Sequence, residues 1–353
     1  MRRKVKTSEV LRTIELAQRL ENDINERKLK PGDTYFSTQD AAEFLGVARI
    51  YANNALRLLE KRQVIIRRQR LGALIAEPAI PQERAVRHLH FIVPEDYFQQ
   101  EGAGSEQILP GLQEELPGSS ISYCFIRPEN ENDKVADLIQ EAKSRGGIEG
   151  FILVACSWLS QHVVEQSGFP GVVHGTPYAG IRQLPFIERD HHSGVRQVLK
   201  YLRSRGRRRW SLFFRERIHP GDCIFLEEFR AQREVNGSTP LFFTTSVLDQ
   251  IDGDVGRAMS QKKGVDAIIC TSILHGISAL RTLEQAGKKP YEDIDIILLG
   301  SYGRREEDKK LTRLEIDLPE ESLGHKLGKA IAEQAAGNAV ANELLPVVLK
   351  LPS

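Results

Sequence analysis

Apolar residues at Val10, Leu11, Ile14, Leu16, Ala17, Leu20 and Ile24 recur mostly at helical spacing, and Ser8 stands where an N-cap belongs. Pro31 and Gly32 in "KLKPGD" end that pattern, since neither continues a helix. Ser37 followed by Asp40 predicts a cap and an acidic first turn for "TQDAAEFL", and Gly46 predicts its stop. After the tight "GVA" connection, "RIYANNALRLLEKR" predicts a second helix with Ile50, Ala55, Leu56 and Leu59 as its buried side. Two short helices joined by a few residues containing Gly form a helix-turn-helix. The stretch "VIIRRQRLGALIA", residues 64–76, follows at once and reads as a small hairpin.

Beyond residue 87 the pattern changes. Strand-like runs ("HLHFIVP", "SISYCFI", "IEGFILVAC", "GVVHG", "RWSLFFR", "VDAIICTS", "DIDIILLGSYG") alternate with helical ones ("SEQILPGLQEEL" despite Pro110, "KVADLIQEAKSRG", "HSGVRQVLKYLRSRG", "CIFLEEFRAQREVNG", "HGISALRTLEQAG"). Such alternation predicts open parallel sheets covered by helices on both faces. The length suits two units of five or six strands, and "LPVVLKLPS" supplies a final strand. "EPAIPQERAV" is polar, holds two prolines and reads as a linker. The expected division is therefore 1–77, a linker 78–87, and 88–353.

Composition alters this picture in one respect. The chain of 353 residues carries 49 Lys/Arg and 48 Asp/Glu, but residues 1–76 hold sixteen of the former and nine of the latter. The remainder is acidic, with 33 basic and 39 acidic residues. A basic module joined to an acidic body points to a polyanionic partner for the first part alone. No apolar run approaches the roughly 18 residues of a membrane span, and the charged N-terminus lacks a signal-peptide core, so a cytoplasmic location is expected. Cys124, Cys156, Cys223 and Cys270 are widely spaced without a CxxC pair, which excludes an obvious zinc site or disulfide framework.

The segments "LKPGD", "STQDAAEFLGVAR", "ALRLLEKRQVI" and "RLGALIA", in this order and spacing, resemble the winged-helix DNA-binding domain of GntR-type bacterial transcription factors over residues 8–77. Two departures stand out: "YFS" replaces the usual "LPS", and Ala48 replaces a Ser before Arg49. The resemblance implies a double-stranded DNA operator as partner, touched by Ser37, Thr38, Arg49, Tyr51, Asn53, Asn54, Arg67, Arg68, Arg70 and Gly72. These residue types suit direct readout, because Arg bonds guanine bidentately, Asn does so with adenine, and residues near a helix N-terminus reach base edges. With Ile50 inward, Asn53 and Asn54 are the least secure of these assignments. Arg67, Arg68 and Arg70 on the hairpin suit phosphate or minor-groove contacts.

The second part resembles the LacI-type, periplasmic-binding-protein-like effector domain. The motifs are "ERDHHSGVRQVLKYLRSRGRRRWSLFF", with Asp190, Gly194, Leu202 and Gly206 in place, then "VDAIICTSILHGISALRTLEQAGKKPYEDIDIILLGS" and "LTRLEIDLPEESLGHKLGKAIAEQAAG". This implies two α/β lobes joined by three crossovers, a small-molecule effector such as a sugar or related metabolite between them, and a homodimer. In open parallel sheets ligands sit beyond the strand C-terminal ends. The candidate cleft residues are accordingly Pro94 to Tyr97, Trp158, Asp190, Arg215, Phe225, Ser272 and Tyr302. Phe225, Thr271-Ser272 and Tyr302 occupy places where sugar-binding relatives carry Arg, a polar pair such as Asn-Asp, and Asp. An unusual, more apolar ligand, a local misalignment, or a cleft without a ligand each accommodates these departures.

Nothing suggests catalysis or a bound metal or cofactor. His191-His192 diverge on any regular element, and His88 and His90 share a strand face with no further ligand at suitable spacing, which predicts solvent-facing histidines. "GAGSEQ" lacks a full dinucleotide fingerprint, and GxSxG, HExxH and Walker motifs are missing. "RSRGRRRW" lies at a helix-to-strand turn and reads as solvated surface. The expected function is a non-enzymatic, ligand-responsive transcription regulator, a repressor. The alternatives are a constitutive DNA-binding dimer or an α/β enzyme with a DNA-localising module.

Overall fold

The computed structural model describes residues 2–62, 64–68, 72–76, 85–101, 105–236, 239–246, 250–260, 264–300, 310–319 and 322–352. The first part comprises α1 (Arg2–Glu26), β1 (Thr34–Tyr35), α2 (Thr38–Leu45), α3 (Arg49–Lys61), β2 (Ile65–Arg68) and β3 (Gly72–Ile75). β2 and β3 pair as an antiparallel hairpin, Arg68 opposite Gly72, and β1 adds to β3 as a third strand. The capping box is formed: Asp40 N–H donates to Ser37 Oγ and Ser37 N–H to Asp40 Oδ2, while Gly46 closes α2 in the left-handed conformation. Ser8 does not start α1. The helix begins at Arg2, because the Arg and Lys residues upstream are good helix formers that carry it through Ser8. Leu16, Leu20, Leu56, Leu59 and Ile65 share one core, and the buried Arg62 ties α3 to Glu21 of α1 at 3.3 Å.

The body has two lobes. Lobe one contains β4 (Val86–Pro94), α4 (Glu95–Glu101), α5 (Ser105–Glu115), β5 (Ser120–Ile126), α6 (Glu131–Arg145), β6 (Ile148–Val154), α7 (Trp158–Ser167), β7 (Gly171–His174) and β8 (Phe186–Arg189). Lobe two contains α8 (His191–Ser204), β9 (Arg209–Arg215), α9 (Pro220–Asn236), β10 (Thr239–Ser246), α10 (Ile251–Met259), β11 (Ala267–Cys270), α11 (Ile273–Gln285), β12 (Asp295–Leu298) and β13 (Thr312–Ile316). The chain then returns: α12 (Ser322–Ala335) and β14 (Glu343–Leu345) complete lobe one, and β15 (Val347–Lys350) completes lobe two. The sheets run β14-β8-β7-β6-β4-β5 and β10-β9-β11-β12-β13-β15, parallel throughout except for β15 against β13. β7, β11 and β12 are buried at every position, the mark of strands covered on both faces. The expected single closing strand is thus two, split at Pro346 between different sheets.

The crossings lie side by side at Asp190, Asp317 and Leu345–Pro346. Asp190 N–H donates to the Leu345 carbonyl and Asp317 N–H to the Pro346 carbonyl, both at 2.8 Å. His90 also departs from expectation. It is buried and its ring lies 2.7 Å from Glu149, which Arg145 grips with two bonds of 2.7 and 2.9 Å. The solvent-facing reading failed because β4 is covered on both faces, and Glu149 and Arg145 arrive from the neighbouring strand and helix.

Two measurements follow from this packing. Arg145, helped by His90, holds Glu149 down to about 2 against the opposing effect of burial. Such a carboxylate stabilises the fold above its unfolded pKa and loses that contribution as pH falls through the folded one. Glu149→Gln should therefore cost about 2–3 kcal/mol near pH 7. The gap from wild type in urea denaturation should close between about pH 4.5 and 2; a pH-independent gap would assign the loss to packing. Separately, a Cβ on Gly324 of α12 would overlap the Ile108 carbonyl of α5 and approach Gly111 Cα to 3.0 Å. Gly324→Val should lower thermal stability by about 3 kcal/mol, the upper range for overpacking, because backbone cannot swing aside.

Candidate functional site

The first site is the outer face of α3. Ala52, Ala55, Leu56 and Leu59 are buried, whereas Ile50 is 66% exposed. The expectation that Ile50 points inward is therefore wrong. Successive residues turn by about 100° around a helix, and the buried stripe centres near Leu59, leaving Ile50 almost opposite. Ala52 takes the inward place, its small side chain allowing close packing of the helix.

The polar residues of this face are partly engaged with one another. Arg49 is exposed and donates to Gln39 Oε1 of α2. Tyr51 is half-buried, with the Arg12 guanidinium 4.4 Å over its ring. Arg67 Nη2 donates to Asn53 Oδ1 at 3.0 Å and to Thr38 Oγ1 at 3.3 Å, so it joins β2, α3 and the start of α2. The Ser37 hydroxyl accepts from Asp40 as the α2 cap, and Asn54 is exposed. Gly72 has a φ of +82°, and a side chain there would press on the Tyr35 carbonyl at 3.3 Å. Arg68 lies in β2, but its side chain, like Arg70 altogether, lies outside the described residues. Gln39 and Arg57 join this face unforeseen; Arg57 follows Asn53 by four residues, and that spacing alone places it there.

The second site is the cleft between the two lobes. Its walls are the C-terminal ends of strands: Tyr97 beyond β4, Cys156 beyond β6, His174 and Thr176 at β7, and Glu188 and Arg189 on β8. Opposite stand Arg215, His219 and Asp222 after β9, Thr271 after β11 and Gly300 after β12. Glu188 gathers the Thr176 hydroxyl at 3.2 Å, the Arg189 amide at 2.8 Å and His191 Nε2 at 3.1 Å. Burial pushes its carboxyl up, but His191 and Arg189 outweigh this and hold it well below the usual range. Arg215 donates to the Thr271 carbonyl at 2.8 Å and Asp222 at 3.4 Å, and lies 5.5 Å over the Tyr97 ring. Burial, with Arg215 and Arg217 nearby, pushes His219 down to about 3, so its ring is neutral at pH 7. The Nδ1 atoms of His191 and His219 are buried without a hydrogen-bond partner.

Of the expected cleft residues, Arg215, Phe225 and Tyr97 line this space. Asp190 instead caps α8 through the Ser193 amide at 2.8 Å. Trp158 opens α7, 45% exposed, with its ring stacked on His162 at 5.0 Å. Ser272 precedes α11 and buries an unpartnered hydroxyl beside Thr271, while Tyr302 lies outside the described residues. His174, Glu188, His191, His219 and Asp222 were missed. Only the strand-end positions of His174 and Glu188 offered a signal. Arg217 of lobe two also bonds the buried Glu131 of lobe one at 3.0 Å.

The arrangement offers fixed donors, fixed acceptors and two aromatic walls, which suits a small polar molecule. Cys156 is a poor nucleophile here, since burial and then Glu131 raise its thiol well above the normal value. Among the described residues no group of His, Cys, Asp and Glu could hold a metal ion, and no helix is long and apolar enough to cross a membrane.

Residues 13–75 match the family of bacterial regulatory proteins, gntR family. The structure is similar to a transcriptional regulator CelR–cellobiose complex, with a TM-score of 0.64 and 16% identity, covering 90% of this chain and 99% of that one. It is also similar to a LacI family transcriptional regulator from Enterococcus faecium with bound ribose (TM-score 0.60, 18% identity, 76% and 100% covered). A third is the lac repressor dimer bound to operator and the anti-inducer ONPF (TM-score 0.59, 15% identity, 75% and 92% covered). No curated protein matches in sequence. The class is a winged helix-turn-helix domain carried on a two-lobed, periplasmic-binding-protein-like fold. More particularly, residues 13–75 match the gntR family, and the body that follows has the fold seen in LacI-type regulators.

The geometry makes Arg67 a positioning residue. Arg67→Ala should reduce the ratio of operator to random-duplex affinity about tenfold, since a well-made base contact is worth about 1–3 kcal/mol. The slope of log affinity against log salt should stay unchanged. A slope shallower by about 0.9 would instead mark a phosphate contact.

Proposed function

We propose that the protein is a sequence-specific transcription repressor working as a homodimer, whose operator affinity is set by a small hydroxylated molecule held between the lobes. The observation that carries this reading is the composition of the cleft wall: charged and polar groups at strand ends from both lobes converge on one space. A ligand bridging Glu188 and Arg189 on one side with Arg215 and His219 on the other favours one lobe separation. That preference shifts the population of dimers whose two α3 helices match the spacing of a two-fold operator. The cellobiose and ribose found with similar folds support a sugar or related metabolite. The operator-bound dimer among them supports the same arrangement here. The domain division at 77 and 87, and a cytoplasmic location, accord with this role.

A thermal-shift screen of sugars, sugar acids and nucleosides on the full chain tests it. A true effector at a hundred times its Kd should stabilise the protein by about 2.7 kcal/mol and change operator affinity. Glu188→Gln and Arg215→Ala should abolish both responses while leaving ligand-free operator binding unchanged. An effect on operator binding that survives both substitutions would place the effector elsewhere.

A further inference from the structure

The outer face of α3 carries one feature that DNA-binding chemistry of the usual polar kind does not use. Ile50 occupies the first turn of the helix, 66% exposed, flanked on the same face by Arg49, Asn53, Asn54 and Arg57. With about 100° between successive residues, Ile50 and Arg57 stand nearest the middle of this face, with Arg49 and Asn53 to one side and Asn54 to the other. Among the described residues it is more exposed than Leu344 and Leu351, the large hydrophobic side chains that come next. Leaving such a side chain in water forgoes the stabilisation that burial brings. The core of the domain has no need of it, because Ala52, Ala55, Leu56 and Leu59 already fill the inner face.

A basic surface with a single apolar point at its centre defines its partner narrowly. A second protein copy would meet like charge across Arg49 and Arg57. The major groove offers phosphates and polar base edges to the Arg and Asn residues, and one apolar group, the C5-methyl of thymine. Position matters as well as type, since residues at the N-terminal end of the second helix are those that approach base edges. We propose that Ile50 reads a thymine methyl in each operator half-site, and so determines specificity at that base pair. This rests on the DNA-binding reading given above.

The test uses the full-length protein. Sites are first selected from a randomised duplex library with the wild type and with Ile50→Ala. Each thymine of the selected half-site is then replaced by uracil, which removes only the methyl group. One position should emerge at which uracil weakens wild-type binding about fourfold, the worth of one buried methyl, and leaves Ile50→Ala unaffected. Returning the methyl on that position as 5-methylcytosine, paired with guanine, should recover part of the wild-type affinity lost with unmethylated cytosine, and none for Ile50→Ala. Because Ile50 is exposed, the variant should melt with the wild type, so a lost contact is not mistaken for unfolding. Equal sensitivity of both proteins to uracil at every thymine would overturn the proposal while leaving operator binding intact. Failure of the wild type to enrich any sequence would overturn the DNA-binding reading and this inference together.

Discussion

Two hydrogen bonds at the waist of the body govern what the cleft can do. The three crossings between lobes are not independent tethers: Asp190 and Asp317 each donate their amide to the strand segment Leu345–Pro346 that lies between them. A single crossover would let the lobes swivel freely. Three, tied into a short ribbon, resist twisting and sliding but still bend across the ribbon's width. Proline at 346 stiffens the middle segment, since its φ is fixed near −65°. Opening and closing therefore become one motion about one line, and a ligand on the far side of that line has leverage on it. Domain closure of this kind needs only a few residues to absorb the backbone change.

The groups on either side of the cleft are preorganised by contacts with protein neighbours, most of them within one lobe. Glu188 is held by Thr176, the Arg189 amide and His191, and Arg215 by Thr271 and Asp222. Buried charges of this sort are tolerable only because each is paired and hydrogen-bonded. The result is a set of donors and acceptors that does not need to rearrange when a ligand arrives, which limits the ordering cost of binding. Other contacts join the two lobes directly, as with Arg217 and Glu131 and with Arg215 over the Tyr97 ring.

Local signals were the legible ones. The capping box at Ser37–Asp40 and the glycine at 46 located the helix-turn-helix to the residue, because caps are written in adjacent positions. The alternation of strands and helices likewise declared the parallel sheets. The rotation of α3 was misread for a physical reason: Ile50 is more hydrophobic than Ala52, but the packing of α3 rewards the smaller residue. In the cleft, Arg215, Phe225 and Tyr97 were accessible through the rule that ligands meet strand C-terminal ends. Asp190 satisfied the same rule yet spends its carboxylate on a helix cap. Glu188 and His191 are three residues apart and meet through the turn from β8 into α8, but no spacing along the chain announces that His219 shares their cleft. The paired histidines looked bland because only one of them, His191, turns toward Glu188.

The return of α12 and β14 to the first lobe has a consequence for how the chain is made. Leu323, Leu327 and Ile331 of α12 complete the core that Leu89, Ile108 and Leu112 begin, and α5 and α12 touch backbone to backbone at Gly324. Synthesis delivers these parts in the opposite order from their need. Lobe one starts first, yet its last pieces emerge only after β9 to β13 of lobe two have left the ribosome. Domains that fold as they emerge are completed in sequence order; this one cannot be. Its nascent chain carries an uncovered apolar face of α5 and β4 throughout the making of its neighbour. A truncation that removes only the last few dozen residues would therefore damage the oldest part of the protein.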